Sequence, residues 1–421
     1  MDRRAFLMSV SGVAASPVSV WGPGAGQPGG DALFSAWMQG FVDRAVGAGW
    51  SREQMQDAFQ GLTPDPRVIA ADSRQPELSK PIGDYIKGVV SDSRIAEGRA
   101  RVEASPWLAG ISAQYGVQAE FLVGIWGIES SYGRIQGDMD VIRSLATLAA
   151  EGRRKDWAEG QLLSALRILF TAQASREQLK GSWAGAMGQT QFTPQDYLAF
   201  AVDADGDGRR DIWGSSNDAL ASTANFLTHK AAWRRGEPCT REVILPTDFD
   251  YSLAEGAKQL PEAWRALGVR EAAPYRAPVD EPAQLLLPSG WTGPAFLALP
   301  NHFAIRAYNN STSYALAVDL LGQRIAGDPP PVRAWPVDLP TTRADRIAAQ
   351  ESLQRLGYDV GDVDGVLGLK TRQAARAWQK TRSLPADGYL SYALIQQLKS
   401  EGGISADIPP PPPPTSGPTP H

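Results

Sequence analysis

A carboxylate at the end of an apolar helical segment is the side chain of this chain best suited to acid–base chemistry. In VGIWGIESSYG, residues 123–133, Glu129 follows Ile125 and Trp126 at the spacing of one helical face. Burial disfavours the charged form of a carboxylic acid, so its pKa rises and it stays protonated near neutral pH. Such an acid can protonate a glycosidic oxygen. The serines and glycine that follow end the helix, so we expect Glu129 at the edge of a cleft.

A helix-end acid that reaches solvent or pairs with Arg134 is the alternative, and this segment alone leaves it open. A second segment, GSWAGAMGQTQFTP at 181–194, combines small residues, amides and aromatic side chains ahead of a helix. Glycine lets a backbone approach a ligand closely, and polar groups beside aromatic faces suit carbohydrates. A tight connection between helices is the alternative reading, but the two segments together favour a carbohydrate cleft.

An acidic loop, DADGDGRRD, follows this segment. Asp203, Asp205 and Asp207 fit positions 1, 3 and 5 of an EF-hand loop, and the carbonyl of Arg209 falls at position 7. Position 12 is Gly214, where an EF-hand has a bidentate glutamate. Carboxylates this close repel one another unless a cation or water screens them. We therefore expect a structural Ca²⁺ site and no cofactor for catalysis, with a solvated acidic turn as the alternative to the metal.

Other catalytic arrangements are weakly indicated. The chain has 1 cysteine and 3 histidines, so no internal disulfide is possible, and no HExxH pattern suggests zinc. A thiol at Cys239 with His302 as its base is conceivable, but the surrounding sequence has no signature for it, and we expect a packed thiol. The net charge of −5 argues against a nucleic-acid partner.

Helical apolar spacing dominates the first 230 residues. The helices that it predicts run through 33–41, 51–60, 84–101, 105–115, 117–129, 140–150, 156–173, 195–201 and 216–231. Between 241 and 305, short apolar pieces such as REVILP, AQLLLPSGW and FAIRAYN predict short strands or loops. Residues 313–327 predict another amphipathic helix. The fold class expected is mainly α (α+β), with a small β-containing subdomain.

Composition divides the chain into five parts. The N-terminus, MDRRAFLMSVSGVAAS, has the twin-arginine pattern of an export signal, with an ordinary disordered terminus as the alternative. Its apolar core is too short to span a membrane, so we expect a mature periplasmic protein without a transmembrane segment. The parts expected are a signal and linker at 1–30, a catalytic domain at 31–327, a Pro-rich linker at 328–342, a compact module at 343–400 and a disordered Pro-rich tail at 401–421.

Four segments resemble, in order, those of the lytic murein transglycosylases of the membrane-bound B type. They are ESSYG at 129–133, GAMGQTQFTP at 185–194, DADGDGRRDIW at 203–213 and IRAYNNSTSYALAV at 305–318. The resemblance covers roughly 31–327 and implies a lysozyme-like fold that cuts the MurNAc–GlcNAc bond of peptidoglycan. It implies Glu129 as the sole catalytic acid/base and Asp218 as the residue that closes a longer calcium loop. The substrate-binding residues that it implies are Tyr132, Ser182, Gln191, Tyr308, Asn309 and Tyr314.

Two departures from the family pattern accompany the match. Phe226 stands where the family often has a tyrosine, so we expect one hydroxyl contact to be missing, and Gln189-Thr190 replaces a more usual aromatic-glycine pair. The implied reaction is non-hydrolytic: Glu129 protonates the leaving oxygen and then takes a proton from the sugar's C6 hydroxyl, which closes a 1,6-anhydro ring. A muramidase that uses water, with Asp138 or Asp140 as second carboxylate, and a silent wall-binding protein are the alternatives.

The C-terminal unit has three sets of helical apolar positions joined by Asp-Gly turns. The sets are Ile347, Leu353 and Leu356; Leu369, Ala375 and Trp378; and Leu394 and Leu398. Together with Gln350, Asp364-Gly365, Thr371, Gln379 and Asp387-Gly388, the pattern is similar to the three-helix peptidoglycan-binding module. A small helical domain without a ligand is the alternative. The partner expected is the peptidoglycan glycan strand, at which a tethered module would concentrate the enzyme.

Overall fold

The structure is a computed structural model of the chain and describes residues 28–74, 80–273 and 280–404. Most of the predicted signal and of the predicted Pro-rich tail lies outside these residues. The first described helix begins at Pro28, so residues 28–30 of the predicted linker are helical. Among the described residues, no helix is both long enough and apolar enough to cross a membrane.

Helices make up most of the described chain, which confirms the predicted class. They are α1 Pro28–Gly47, α2 Arg52–Phe59, α3 Pro66–Arg74, α4 Ile82–Val89, α5 Asp92–Glu103, α6 Leu108–Tyr115, α7 Ala119–Ser130, α8 Val141–Glu151, α9 Lys155–Phe170, α10 Pro194–Phe200, α11 Ser216–His229, α12 Pro261–Ala266, α13 Pro300–Tyr308, α14 Thr312–Ala326, α15 Arg343–Arg355, α16 Leu369–Thr381 and α17 Tyr392–Glu401.

Two predictions about individual helices were wrong. The segment predicted as one helix at 84–101 is the pair α4 and α5, because Ser91 is extended and its hydroxyl accepts from the Arg94 N–H to start the second helix. FAIRAYN, predicted as a strand or loop, lies in α13. Pro300 at the first turn, after the extended Leu299, starts this helix.

The strands form two small antiparallel sheets. They are β1 Met139–Asp140, β2 Lys180–Gly181, β3 Thr240–Ile244, β4 Arg270–Glu271, β5 Gln284–Leu286 and β6 Ala295–Ala298. The first sheet pairs β1 with β2, and the second has the order β4-β3-β6-β5. The larger sheet corresponds to the predicted β-containing subdomain and buries an apolar face around Trp264 and Leu285.

Packing of α7 against α14 positions the polar residues of interest. A Cβ at Gly322 would lie 2.7 Å from the Phe121 ring, and one at Gly124 would lie 3.5 Å from the Val318 carbonyl oxygen. Residues early in α7 therefore meet residues late in α14, so the helices run antiparallel. This arrangement brings the end of α7 to the start of α14.

Helices α15, α16 and α17 form a separate unit with its own core around Leu353, Trp378 and Leu398. Leu369, predicted on the apolar face, is instead 54% exposed because it is the first residue of α16. The unit contacts the larger-sheet region through Glu255, whose two carboxylate oxygens lie 2.6 Å from Arg372 and 2.8 Å from Arg376.

Candidate active site

Helix α7 is buried over most of its length and carries Glu129 near its C-terminal end. Residues 121–127 are buried, whereas Glu129 is half-buried. The helix ends because Ser131 adopts the left-handed conformation and its N–H returns to the Gly127 carbonyl. Ser131 and Tyr132 both have positive φ, at 51° and 60°. Non-glycine residues rarely adopt this conformation, and its cost is borne most often at functional sites.

Glu129 accepts a hydrogen bond from a tyrosine hydroxyl on the opposing helix. Tyr314 is buried at the start of α14 and donates to Glu129 Oε1 at 2.9 Å. Arg134, the alternative partner considered from the sequence, pairs instead with Glu97 at 2.9 Å between Nη2 and Oε2. That pairing holds the pKa of Glu97 below its usual range. The carboxyl group of Glu129 thus contacts a neutral donor.

Ser130, which the sequence analysis did not single out, joins α7 to the glutamine-rich segment. Its buried hydroxyl donates to the Gln189 carbonyl at 2.5 Å and accepts from the Gly133 N–H at 2.8 Å. The Gln189 side chain in turn donates to the Trp213 carbonyl and accepts from Ser216. The sequence signal that points to Ser130 is its position directly after Glu129. The Gln189 that departs from the family pattern therefore fixes the loop.

Gln191 is held in a strained conformation in the same segment. Its φ is 61°, and its side-chain amide donates to the carbonyls of Gln136 at 2.8 Å and Gly188 at 2.9 Å. Ser182 is half-buried in the turn that precedes it, where its N–H donates to the Ala186 carbonyl at 3.0 Å. These contacts orient Gln191 without help from a ligand.

Tyr308 and Asn309, at the end of α13, line a pocket of about 190 Å³ together with Gln191. The Tyr308 hydroxyl donates to the Thr190 carbonyl at 2.5 Å. Asn309 is 4% exposed, and its side-chain oxygen has no hydrogen-bond partner among the described residues. A buried amide oxygen without a partner at a pocket wall is suited to a ligand donor.

Two further residues of interest lie in the packed interior. Tyr132 is 4% exposed, its ring packs on Trp126, and its hydroxyl donates to the Arg94 carbonyl at 2.6 Å. In this position Tyr132 supports the turn after Glu129. Phe226 is 1% exposed and packs edge-on against Tyr308 with ring centroids 5.0 Å apart.

The acidic loop collects three of its predicted ligands. Carboxylate oxygens of Asp203, Asp205 and Asp218 lie within 4.8 Å of one another, and among the described residues Asp207 is not part of this group. Asp218 is fully buried and accepts from the N–H groups of Ala204 and Asp211, each at 2.8 Å. Burial raises its pKa. An all-oxygen set of this kind fits a hard cation such as Ca²⁺.

The predicted packed role of Cys239 agrees with its surroundings. Its thiol is fully buried, and burial raises its pKa, as does its hydrogen bond to Asp319. His302 is also fully buried, and neither ring nitrogen has a hydrogen-bond partner among the described residues. Neither residue lines the pocket at Tyr308.

Comparison with known families matches both parts of the chain. Residues 33–323 match the family described as transglycosylase SLT domain, and residues 342–398 match the peptidoglycan binding domain family. The membrane-bound lytic murein transglycosylase B of Escherichia coli (strain K12) is 31% identical over 319 residues, which cover 71% of this chain and 85% of that protein.

Two solved structures extend the comparison. SltB3 from Pseudomonas aeruginosa, in complex with NAG-anhNAM-pentapeptide, aligns with a TM-score of 0.82 and 46% identity over 87% of this chain and 99% of that chain. The Escherichia coli lytic transglycosylase Slt35, in complex with calcium, aligns with a TM-score of 0.59 and 31% identity over 69% of this chain and 92% of that chain.

The fold and site define a lysozyme-like enzyme in which a buried helix ends at a half-buried carboxyl group that contacts Tyr314. The chain belongs to the transglycosylase SLT domain family and is a lytic murein transglycosylase with a C-terminal peptidoglycan binding domain. The predicted family, fold class and enzyme class are thereby confirmed.

Proposed function

We propose that this enzyme cleaves the β-1,4 bond between MurNAc and GlcNAc without water and leaves 1,6-anhydroMurNAc ends, with Glu129 as its single general acid/base. The observation that carries the proposal is the contact of the half-buried Glu129 with Tyr314. A carboxyl group in this position can reach a substrate and still has a fixed neutral donor.

The proposed reaction uses the same carboxyl group twice. Glu129 first gives its proton to the leaving oxygen of the glycosidic bond. Positive charge then develops at the MurNAc anomeric carbon, where the sugar's own acetamide can carry it. The Glu129 carboxylate, hydrogen-bonded by Tyr314, next removes the proton from the C6 hydroxyl, whose oxygen closes the anhydro ring. Acid–base assistance of this kind is worth about 10²–10⁴-fold in rate.

The positions of two other acids favour this route over hydrolysis. An inverting hydrolase needs a second carboxylate to position water. Asp140 starts α8, accepting from the Arg143 N–H at 2.8 Å, and it pairs with Arg176 at 2.7 Å. The Asp138 side chain is 87% exposed. Both acids that the sequence offered for that role are thus engaged or solvated.

Digestion of purified peptidoglycan sacculi with the enzyme and with a Glu129→Gln variant tests the proposal. Gln has nearly the size of Glu and keeps an oxygen that can accept from the Tyr314 hydroxyl, but it cannot exchange a proton. We expect wild-type products lighter by one water than hydrolysed muropeptides, by mass spectrometry, and none from the variant. Reducing-end products would establish a muramidase instead. Binding without products from either protein would indicate a silent site.

We also propose that Ca²⁺ binds the acidic loop and stabilises it without taking part in the chemistry. The carboxylates of Asp203, Asp205 and Asp218 would supply ligands, and Asp207 and the Arg209 carbonyl would complete the set. We expect EDTA to lower the melting temperature, Ca²⁺ to restore it, and Asp205→Asn to weaken the response, because bound metal stabilises the folded state. Equal melting temperatures in EDTA and in Ca²⁺ would favour a solvated acidic turn.

The remaining proposals concern targeting. We propose that residues 1–30 direct export to the periplasm and that residues 31–327 form the catalytic domain. Residues 328–342 would connect this domain to a wall-binding module at 343–400, and residues 401–421 would form a tail. The pattern at Arg3-Arg4 and the separate core around Trp378 support this division. Processing at the N-terminus can be checked by mass spectrometry of protein from the periplasmic fraction, where an intact leader would count against it.

A further inference from the structure

A fixed cation stands in the pocket beside Tyr308. Lys230 follows α11, and its side chain is 44% exposed. Its ammonium lies 2.6 Å from Asp196 Oδ1 and 4.6 Å from the centroid of the Phe226 ring. An ion pair and a cation–π contact together hold the flexible stem of this lysine in place.

Asp196 is anchored independently of the lysine. It is the third residue of α10, where its N–H donates to the Thr193 hydroxyl at 3.2 Å and its second oxygen accepts from that hydroxyl at 2.7 Å. An ammonium has three donors, and the described contacts of Lys230 use one carboxylate oxygen. Lys230 therefore retains donor capacity toward the pocket that it lines.

Two other polar side chains of this pocket, Gln161 and Gln195, are occupied by each other. Gln161 donates to Gln195 at 2.7 Å and accepts from the Gln195 N–H at 3.1 Å. Trp157 adds a half-buried aromatic surface. The pocket of about 190 Å³ is several times the ~30 Å³ that one water occupies in the liquid, so it has room for a substituent larger than a hydroxyl group.

A single ring links the cation to the proposed sugar contacts. The centroid of the Phe226 ring lies 5.0 Å from the Tyr308 ring centroid and 4.6 Å from the Lys230 ammonium. A substituent of a sugar held at Tyr308 would therefore have Lys230 within reach. The donors of the ammonium that Asp196 does not use favour an anionic acceptor.

We infer that Lys230 is a specificity residue that binds a carboxylate of the peptide stem carried by MurNAc. This inference rests on the proposed function, because it places the glycan at Tyr308 and Asn309. Bare glycan strands have no such carboxylate, so Lys230 gives the enzyme a preference for peptide-bearing strands.

The test compares two substrates. Peptide-bearing glycan strands and the same strands freed of peptide by an amidase are digested by wild type, Lys230→Met and Lys230→Arg, and kcat/KM is measured for each. Met keeps the apolar stem on Phe226, and Arg keeps the charge. Lys87→Met, at an exposed lysine of α4, is the matched control.

We expect Lys230→Met to lower the ratio of kcat/KM on peptide-bearing to peptide-free strands about tenfold, the usual effect of losing one charge-assisted hydrogen bond. Lys230→Arg and Lys87→Met should keep most of the wild-type ratio. Amidation of the stem carboxylates should give wild type the ratio of Lys230→Met. An equal loss on both substrates, or an unchanged ratio, would overturn the inference.

Failure of the proposed function gives a different result. If wild type releases anhydro-products from peptide-free strands, the proposed reaction stands whatever the Lys230 ratio shows. If wild type releases reducing-end products, or no products from either substrate, the proposed reaction fails and the glycan placement falls with it.

Discussion

The cleft at Glu129 and the C-terminal module use their motif residues in opposite ways. In the module, the Gln350 side chain accepts from the Gly365 N–H at 2.7 Å and donates to Thr371. Gln379 does the same at the second Asp-Gly turn, accepting from the Gly388 N–H at 2.8 Å and donating to Asp387 at 2.9 Å. The motif residues of the module therefore use their side-chain hydrogen-bonding groups to hold the module's own turns.

Around Glu129, one motif residue keeps an unpaired polar atom. Glu129 is half-buried at the end of its helix, and the Asn309 side-chain oxygen is buried without a partner among the described residues. The contrast indicates what a motif can report. In the module it reports a fold, so ligand residues must be sought elsewhere on its surface. In the cleft it reports chemistry.

The largest effect should come from removing the acid in the cleft. We expect Glu129→Gln to lower kcat about 10²–10⁴-fold, the usual worth of acid–base assistance, and to leave the melting temperature close to that of wild type. Kinetics and thermal melts of the same preparations measure both. A large drop in melting temperature would place Glu129 among the structural residues, as in the module.

The converse result is expected in the module. Gln379→Ala removes the side chain that joins Gly388, Asp387 and the Tyr389 carbonyl, and it leaves buried groups unsatisfied. We expect a local loss of about 3–4 kcal/mol, since each such group costs about 1–3 kcal/mol. Hydrogen exchange over 343–399 in the full chain measures it.

The matched control for that variant is Gln397→Ala, whose exposed amide donates to Glu401 on the same helix. It should leave exchange over 343–399 close to wild type. Equal protection in Gln379→Ala and the control would contradict the structural role of the motif.

Two buried groups, Asp319 and His302, should oppose each other in the pH dependence of stability. Burial raises the pKa of Asp319 to about 6, so stability falls as pH rises from its ordinary 3.8 through 6. Burial lowers the pKa of His302 to about 3, so stability falls as pH drops from its ordinary 6.5 toward 3. Between about pH 4 and 6 the two slopes have opposite signs.

Replacing either group should leave the other to set the pH dependence of stability in this range. We expect Asp319→Asn to gain stability with pH between 4 and 6 more steeply than wild type, by about 3 kcal/mol across the window at most. His302→Phe should shift the slope in the opposite direction. Denaturant unfolding at a series of pH values measures both slopes. Curves parallel to wild type would mean that neither group titrates as its burial indicates.

The smallest of these effects should come from the hydroxyl of Tyr314. Tyr314→Phe removes the hydrogen bond to Glu129 Oε1 and leaves the ring packed. We expect kcat to fall about tenfold, because hydrogen bonds to charged groups are worth about 1.5–3 kcal/mol and some of that is recovered by water. Tyr389→Phe is the control, because its hydroxyl also donates to a carboxylate, that of Asp338, but lies in the C-terminal unit.

Much of the fold follows from local sequence. Helices such as α7 and α14 were predicted within a few residues, because their apolar periodicity and capping residues act over one or two turns. The strand or loop predicted for FAIRAYN failed because a short apolar run fits a strand as well as a buried helix, and tertiary burial decided between them.

The sequence by itself determined which residues are able to do chemistry or bind a ligand: an acid on an apolar face, a glutamine-rich segment and an acidic loop. Only the tertiary structure decided how they are used. Glu129 and Tyr314 are 185 residues apart, and their contact exists because α7 and α14 pack antiparallel at close-packed glycines. For Lys230, the contact with Phe226 is local, because the two residues are four apart at the end of α11. Its ion pair with Asp196 joins α11 to α10 and is set by packing. Side-chain type is encoded locally, whereas the partner of each side chain is set by packing between distant segments.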